Sequence, residues 1–234
     1  MFYVVVRSIV WTLLRILFSY TGGFRVEGRK NVPLKTGVLI APNHFSDSDP
    51  PIVGFALPRY CSFMAKEELF DMKFWGKLIR ILRGFPIKRN TADRNALKFA
   101  EGLLKQGEAV VIFPEGKLSE DGNLQPFLPG LLLVAQRANV PVIPTALIHT
   151  TLLMPYAELK PRRFGKPIIV RFGKPVSVEQ LTGGLKGSEG YQRGAERLHQ
   201  LVQALLDDKP YPALEPLIPA EKVLPAQEAS PKEP

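Results

Sequence analysis

Short apolar runs alternating with helix-length segments predict an α/β fold, a mostly parallel sheet covered by helices on both faces. Three observations carry this. Residues 38–41, 109–113, 140–147 and 168–172 are apolar almost throughout, the pattern of strands buried on both faces. Segments of helix length lie between and after them, at 74–83, 93–106, 130–138 and 189–207. Gly84, Gly107 and Asn139 follow the first three, where a left-handed cap belongs. Finally, the runs 38–41 and 109–113 break off into polar turns, and the carboxyl edge of an open α/β sheet is where sites form.

The elements follow in order. Residues 2–20 are mostly apolar, interrupted by Arg7, Ser8, Thr12, Arg15 and Ser19. At about 100° per residue these five fall in one arc of roughly 140°, which makes an amphipathic helix with a wide apolar face. A spanning helix needs about 20 apolar residues and penalises a central arginine, so this segment is expected to lie in a membrane interface. Arg15 and the lack of a small-x-small site argue against a signal peptide, while packing on the domain's own core is the alternative. Residues 1–24 are therefore read as an amphipathic anchor that can be removed without unfolding the rest. Residues 25–209 form one domain, and residues 210–234, with seven prolines, a disordered tail or a strap through Tyr211, Leu214, Leu217 and Ile218.

With 31 basic and 22 acidic residues the net charge is +9, which favours anionic partners. No zinc-finger spacing, aromatic RNA-binding motif or dense basic tract is present, so nucleic acid is not expected. The single cysteine, Cys61, excludes an intrachain disulfide and reads as a small hydrophobe.

The polar turn after 38–41 reads Asn43-His44-Phe45-Ser46-Asp47-Ser48-Asp49. An imidazole and a carboxylate five positions apart make a base and its orienter. Asp49 can hold one ring nitrogen of His44 while the other takes a proton from a hydroxyl. Backbone N–H groups where the next helix starts, near Pro50, are candidate oxyanion donors. Ser46 and Ser48 lack a nucleophile-elbow context, so no covalent nucleophile is expected. The turn after 109–113 reads Pro114-Glu115-Gly116-Lys117-Leu118-Ser119, and it brings Glu115 to the same edge if the strands are parallel neighbours. Gly84-Phe85-Pro86-Ile87-Lys88-Arg89 is a short extended piece that delivers two cations suited to a phosphate. His149 and His199 have no partner at telling spacing and read as structural.

These segments, followed by Val140-Pro141-Val142-Ile143-Pro144, stand in an order that resembles the glycerolipid acyltransferases from about Val26 to about Pro175. The resemblance implies that His44 is the general base, Asp49 its orienter, and Lys88, Arg89, Glu115 and Gly116 the contacts for the acceptor's glycerol phosphate. It implies a membrane-associated O-acyltransferase on the cytoplasmic face, with no cofactor and no metal. Acyl-CoA or acyl carrier protein would donate the chain to the sn-2 hydroxyl of an anionic lysophospholipid. One departure stands out. The family usually continues Glu-Gly-Thr-Arg-Ser, whereas here Leu118 holds the arginine position and Lys117 is the nearest cation. That leaves the exact acceptor open. Two readings from other classes use the same residues: a metal-dependent phosphoesterase on His44, Asp47 and Asp49, and a lipid-binding module without catalysis.

Overall fold

The computed structural model describes residues 2–88, 93–156, 161–163 and 165–215. The elements run α1 (Phe2–Thr21), β1 (Phe24–Glu27), β2 (Val38–Pro42), α2 (Asp49–Ala56), β3 (Cys61–Lys66), α3 (Trp75–Ile81), β4 (Gly84–Ile87), α4 (Arg94–Lys105) and β5 (Ala109–Val111). They continue with α5 (Gly130–Ala138), β6 (Val142–Ile148), α6 (Thr150–Leu153), β7 (Ile168–Phe172), α7 (Val178–Thr182) and α8 (Gly187–Leu206). The seven strands form one sheet in the order β1-β7-β6-β2-β5-β3-β4. Every pairing is parallel except β6 with β7.

The pleat divides the core. Val38 and Ile40 of β2 face one side with Phe18, Ile52 and Val53, while Leu39 and Ala41 face the other with Leu104, Leu131 and Leu132. Thus α1 and α2 cover one face, and α4, α5 and α8 the other, as the apolar strand runs require. Asn139 closes α5 in the left-handed conformation with φ 53°. At the end of α3 that conformation falls to Arg83 (φ 70°) rather than Gly84. Gly84 instead opens β4 where a Cβ would come 2.3 Å from Ile79 Cγ2, so its role is steric. The extended piece 84–87 is a true strand. It sits at the end of the sheet, where Pro86 leaves no central ladder bond unmade.

Helix α1 packs one face on the domain's own core, the alternative to an interfacial helix, and keeps another apolar face exposed. Trp11, Leu14, Leu17 and Phe18 turn inward, and Phe18 is 2 % exposed. Its ring stacks on Phe24 at 4.5 Å and meets Phe55 edge-on at 5.4 Å. A second stripe, Val5, Ile9, Leu13, Ile16 and Tyr20, points away from the domain, each more than half exposed. Among the described residues no helix is long and apolar enough to cross a membrane. The start of the tail straps the domain, as Tyr211 and Leu214 pack against the core and Glu215 O accepts from Arg197 Nη2 at 2.7 Å. The rest of the predicted tail, with Leu217 and Ile218, lies outside the described residues.

Because Phe18 joins α1 to β1 and α2, Phe18→Ala should cost about 3–5 kcal/mol of stability, read from urea unfolding. Removing residues 2–21 should destabilise further, against the expectation of a freely removable anchor. Unchanged midpoints in both variants would return α1 to a purely peripheral role.

Candidate active site

Strand β2 is central, and the chain leaving it is held from both neighbouring strands. On the β6 side, Asn43 Nδ2 donates to Leu147 O at 3.1 Å and Leu147 N donates to Asn43 Oδ1 at 2.7 Å. The amide thus copies a backbone pair and carries the β2–β6 ladder one step past Pro42. His44 then leaves the strand direction. Its Nδ1 lies 3.0 Å from Asp49 Oδ2, with the imidazole side chain 10 % exposed and the carboxylate fully buried. The same oxygen accepts the N–H groups of Phe45 at 2.7 Å and Ser46 at 2.8 Å. Three donors converge on one atom, so Asp49 fixes both the turn and the ring. A carboxylate at Nδ1 keeps the proton there and leaves Nε2 as the ring's acceptor. The other oxygen, Asp49 Oδ1, is buried without a partner among the described residues.

Most backbone N–H groups at the start of α2 are already engaged. The N–H groups of Phe45 and Ser46 are taken by Asp49, that of Ser48 by Ser46 Oγ, and that of Asp49 by Ser46 O. Pro50 and Pro51 have none. The two serines are committed as well: Ser46 Oγ donates to Met154 O at 2.9 Å and lies 2.7 Å from Ser48 Oγ.

On the other side, β5 runs parallel to β2, with Ile40 opposite Val111. The segment leaving β5 closes on His44 in three ways. The Phe113 ring lies over the imidazole, centroids 4.1 Å apart and planes 27° from parallel. Glu115 Oε1 accepts the His44 N–H at 2.6 Å, and Ser119 N donates to His44 O at 2.8 Å. The second oxygen of Glu115 accepts Gln125 N at 3.0 Å. Gly116 has φ 69°, a left-handed conformation that favours glycine. Asp121 gathers Asn123, Ser119 Oγ and Gln125 Nε2, and the bonds from Asn123 and Ser119 hold its carboxyl down at about 2. Burial pushes the Glu115 carboxyl up to about 7, against the pull of its two backbone donors and of His44.

The cations lie farther out. Lys117 is exposed in the turn beside Gly116, and Leu118 is partly buried. Lys88 is exposed at the end of β4, its backbone N–H on Asp93 Oδ2 at 2.9 Å and its Nζ 3.9 Å from Glu67. Three strand spacings, roughly 14 Å, separate β4 from β2 along the same carboxyl edge. Arg89 lies outside the described residues. The structure therefore brings His44, Asp49, Glu115 and Gly116 together, with Lys117 on their rim and Lys88 at a distance. Sequence reasoning missed the contributions of Asn43, Phe113 and Ser119. All three flank the two motifs, but their partners come from other strands. His149 serves structure, with Nδ1 2.8 Å from Pro167 O, and so does His199, edge-on to Phe127. Asp47 is exposed and apart from the pair's hydrogen bonds, and the described residues contain no cluster of three or more His, Cys, Asp or Glu side chains arranged for a metal.

A histidine–carboxylate pair at the carboxyl edge of a mostly parallel sheet is an arrangement suited to general-base chemistry. Residues 23–148, more than half of the chain, match the Acyltransferase family, and the chain belongs to that family. It is 35% identical over 135 residues to the 1-acyl-sn-glycerol-3-phosphate acyltransferase of Bacillus subtilis, covering 57% of this chain and 66% of that protein. With the protein of the same description from Streptococcus pneumoniae it shares 28% over 210 residues, 88% of this chain and 73% of the other. Against the chloroplastic protein BAT2 of Brassica napus the alignment spans 38% of the relative's length. The crystal structure of the 1-acyl-sn-glycerophosphate acyltransferase PlsC from Thermotoga maritima has the same fold, with TM-score 0.65 at 24% identity over 86% of this chain and 78% of that one.

Glu115 gives the site a pH signature. Its ordinary value is 4.5 and its folded value about 7, so the native state holds this proton more tightly. The stability this contributes is complete below the ordinary value and is lost as pH rises through about 7. Urea midpoints of the wild type should fall across that window relative to Glu115→Gln. Parallel pH curves for the two proteins would contradict the assignment.

Proposed function

We propose that this chain moves an acyl group from acyl-CoA or acyl carrier protein to the sn-2 hydroxyl of 1-acylglycerol 3-phosphate, giving phosphatidic acid. The observation that carries the reading is the His44–Asp49 pair, Nδ1 to Oδ2 at 3.0 Å, on a chain of this family. His44 Nε2 takes the acceptor's hydroxyl proton as the oxygen attacks the thioester carbonyl. The new C–O bond forms, the C–S bond breaks, and the imidazolium returns the proton to the leaving thiolate. Asp49 stabilises the cation in between. Ser46 and Ser48 are held by each other and by Met154 O, which supports direct transfer over an acyl-enzyme.

Lys88, Arg89 and Lys117 are the cations offered to the acceptor phosphate, and Gly116 shapes the turn that presents Lys117. With Leu118 in the usual arginine position, a related lysolipid acceptor is the second reading. A cavity of about 330 Å³ opens beside α2; Trp11, Pro50, Pro51, Gly54 and Phe63 give it an apolar wall that suits a hydrocarbon chain, while Arg59, Arg80 and Arg83 also line it. The outer stripe of α1 lies in the membrane interface on the cytoplasmic face, with Arg15 toward anionic headgroups. The exposed side chains of Leu69, Met72, Phe74 and Trp75 extend the apolar surface around α3.

Purified full-length protein should acylate lysophosphatidate in a panel of lysolipid acceptors. His44→Ala should lower the rate about 10²–10⁴-fold. Lys117→Ala should raise the Michaelis constant for lysophosphatidate if this lysine replaces the usual arginine. Turnover by His44→Ala near wild type would sink the mechanism, and a panel that prefers an uncharged acceptor would sink the substrate.

Binding to vesicles should rise with anionic lipid content and weaken in high salt. Ile9→Ser with Leu13→Ser should weaken it at unchanged thermal stability, because both side chains already face outward. Equal sedimentation of the double variant and the wild type with vesicles would remove α1 from the interface.

A further inference from the structure

Family resemblance makes Glu115 an acceptor contact; we infer instead that it is a positioning residue, which clamps His44 and acts on the imidazole through its charge without touching the acceptor. The inference rests on the reading of His44 as the base. Glu115 is 5 % exposed, and each of its oxygens already accepts a backbone N–H, from His44 at 2.6 Å and from Gln125 at 3.0 Å. With so little of its surface open, Glu115 offers a glycerol hydroxyl little access to either oxygen. The bond to the His44 N–H instead ties the carboxylate to the residue that carries the base.

The clamp has a second jaw from the same segment. Ser119 N holds His44 O at 2.8 Å, so both backbone polar groups of His44 are fixed by the chain leaving β5. Phe113 covers one face of the ring. Asp49 holds Nδ1 from the α2 side. With His44 seized at backbone, face and Nδ1, the direction of Nε2 is determined, and an error near 1 Å there costs rate rather than binding.

Charge adds to placement. The charged groups that reach Glu115 are His44, which favours its ionised form, and Asp49, which opposes it. No lysine or arginine hydrogen bond to Glu115 is found among the described residues. Once His44 has taken the acceptor's proton, the imidazolium lies between two carboxylates, one direct and one across its own backbone. Ionised Glu115 stabilises that cation, and the protonated acid does not.

The test measures initial rates of full-length wild type and Glu115→Gln against lysophosphatidate concentration across neutral pH, with exchange of the His44 amide hydrogen followed by NMR. The glutamine keeps the size but can accept only one of the two N–H groups and has no charge. We expect kcat to fall roughly ten- to hundredfold, the Michaelis constant for the acceptor to stay within about twofold, and the His44 amide to exchange faster. A raised Michaelis constant with kcat intact would overturn the inference and restore direct acceptor contact. Unchanged kcat, or unchanged amide exchange, would also overturn it. Should Glu115→Gln fail to fold, Glu115→Asp and the wild-type exchange decide: a protected His44 amide with loss of kcat in the aspartate variant supports the clamp, and a freely exchanging amide refutes it. Absence of acyl transfer by the wild type would instead sink the reading of the function, while leaving the amide exchange as a test of the clamp.

Discussion

Asp49 Oδ2 is the atom on which the site depends. It receives the His44 ring and the N–H groups of Phe45 and Ser46, and so converts a flexible polar turn into a fixed one. Each charge-assisted bond of this kind contributes more than a neutral one, and a buried carboxylate left with fewer donors would be costly. The carboxylate can sit there because it opens α2. Pro50 and Pro51 follow it, supply no N–H to compete for it, and preset the first turn of the helix. The turn is then braced by elements far off in sequence. Asn43 ties it to β6, and Glu115 with Ser119 ties it to β5. A central strand is the only position in this sheet from which both neighbours can do this.

Much of this was legible beforehand, and the reasons are physical. Strands β2, β5, β6 and β7 were readable because burial on both faces leaves almost no polar residue in them. Strands β1 and β3 were not, because each mixes polar with apolar positions and lies at or near a sheet edge. Strand β4 showed only as a short extended piece, since four residues with a proline carry no alternation. Helix α7 carried a readable signal, the Ser177 and Gln180 capping box, on an element of only five residues. The His44–Asp49 pair was visible because its logic is local, five positions apart. The clamp was not, since Glu115 meets His44 across 71 positions and nothing in Pro-Glu-Gly says where the carboxylate turns. The same string read as an acceptor contact by resemblance and becomes a brace by geometry. Burial separates the two roles, and burial is a property of the assembled sheet.

Helix α1 shows how one amphipathic pattern can serve two surfaces. Around its axis lie a buried sector with Trp11, Leu14, Leu17 and Phe18, a polar sector with Ser8, Thr12, Arg15 and Ser19, and an exposed apolar stripe from Val5 to Tyr20. Sequence periodicity merges the two apolar sectors into one wide face, which is why it suggests a single use. The packed sector also means that stability and any lipid contact are coupled through the same helix. Phe18 closes the core over β1 and α2, and Trp11 walls the cavity beside Pro50 and Pro51, one residue from Asp49. The buried side of α1 thus lies within a few side chains of the His44–Asp49 pair. Removing the whole helix alters both surfaces at once, so only substitutions confined to the outer stripe can separate attachment from folding.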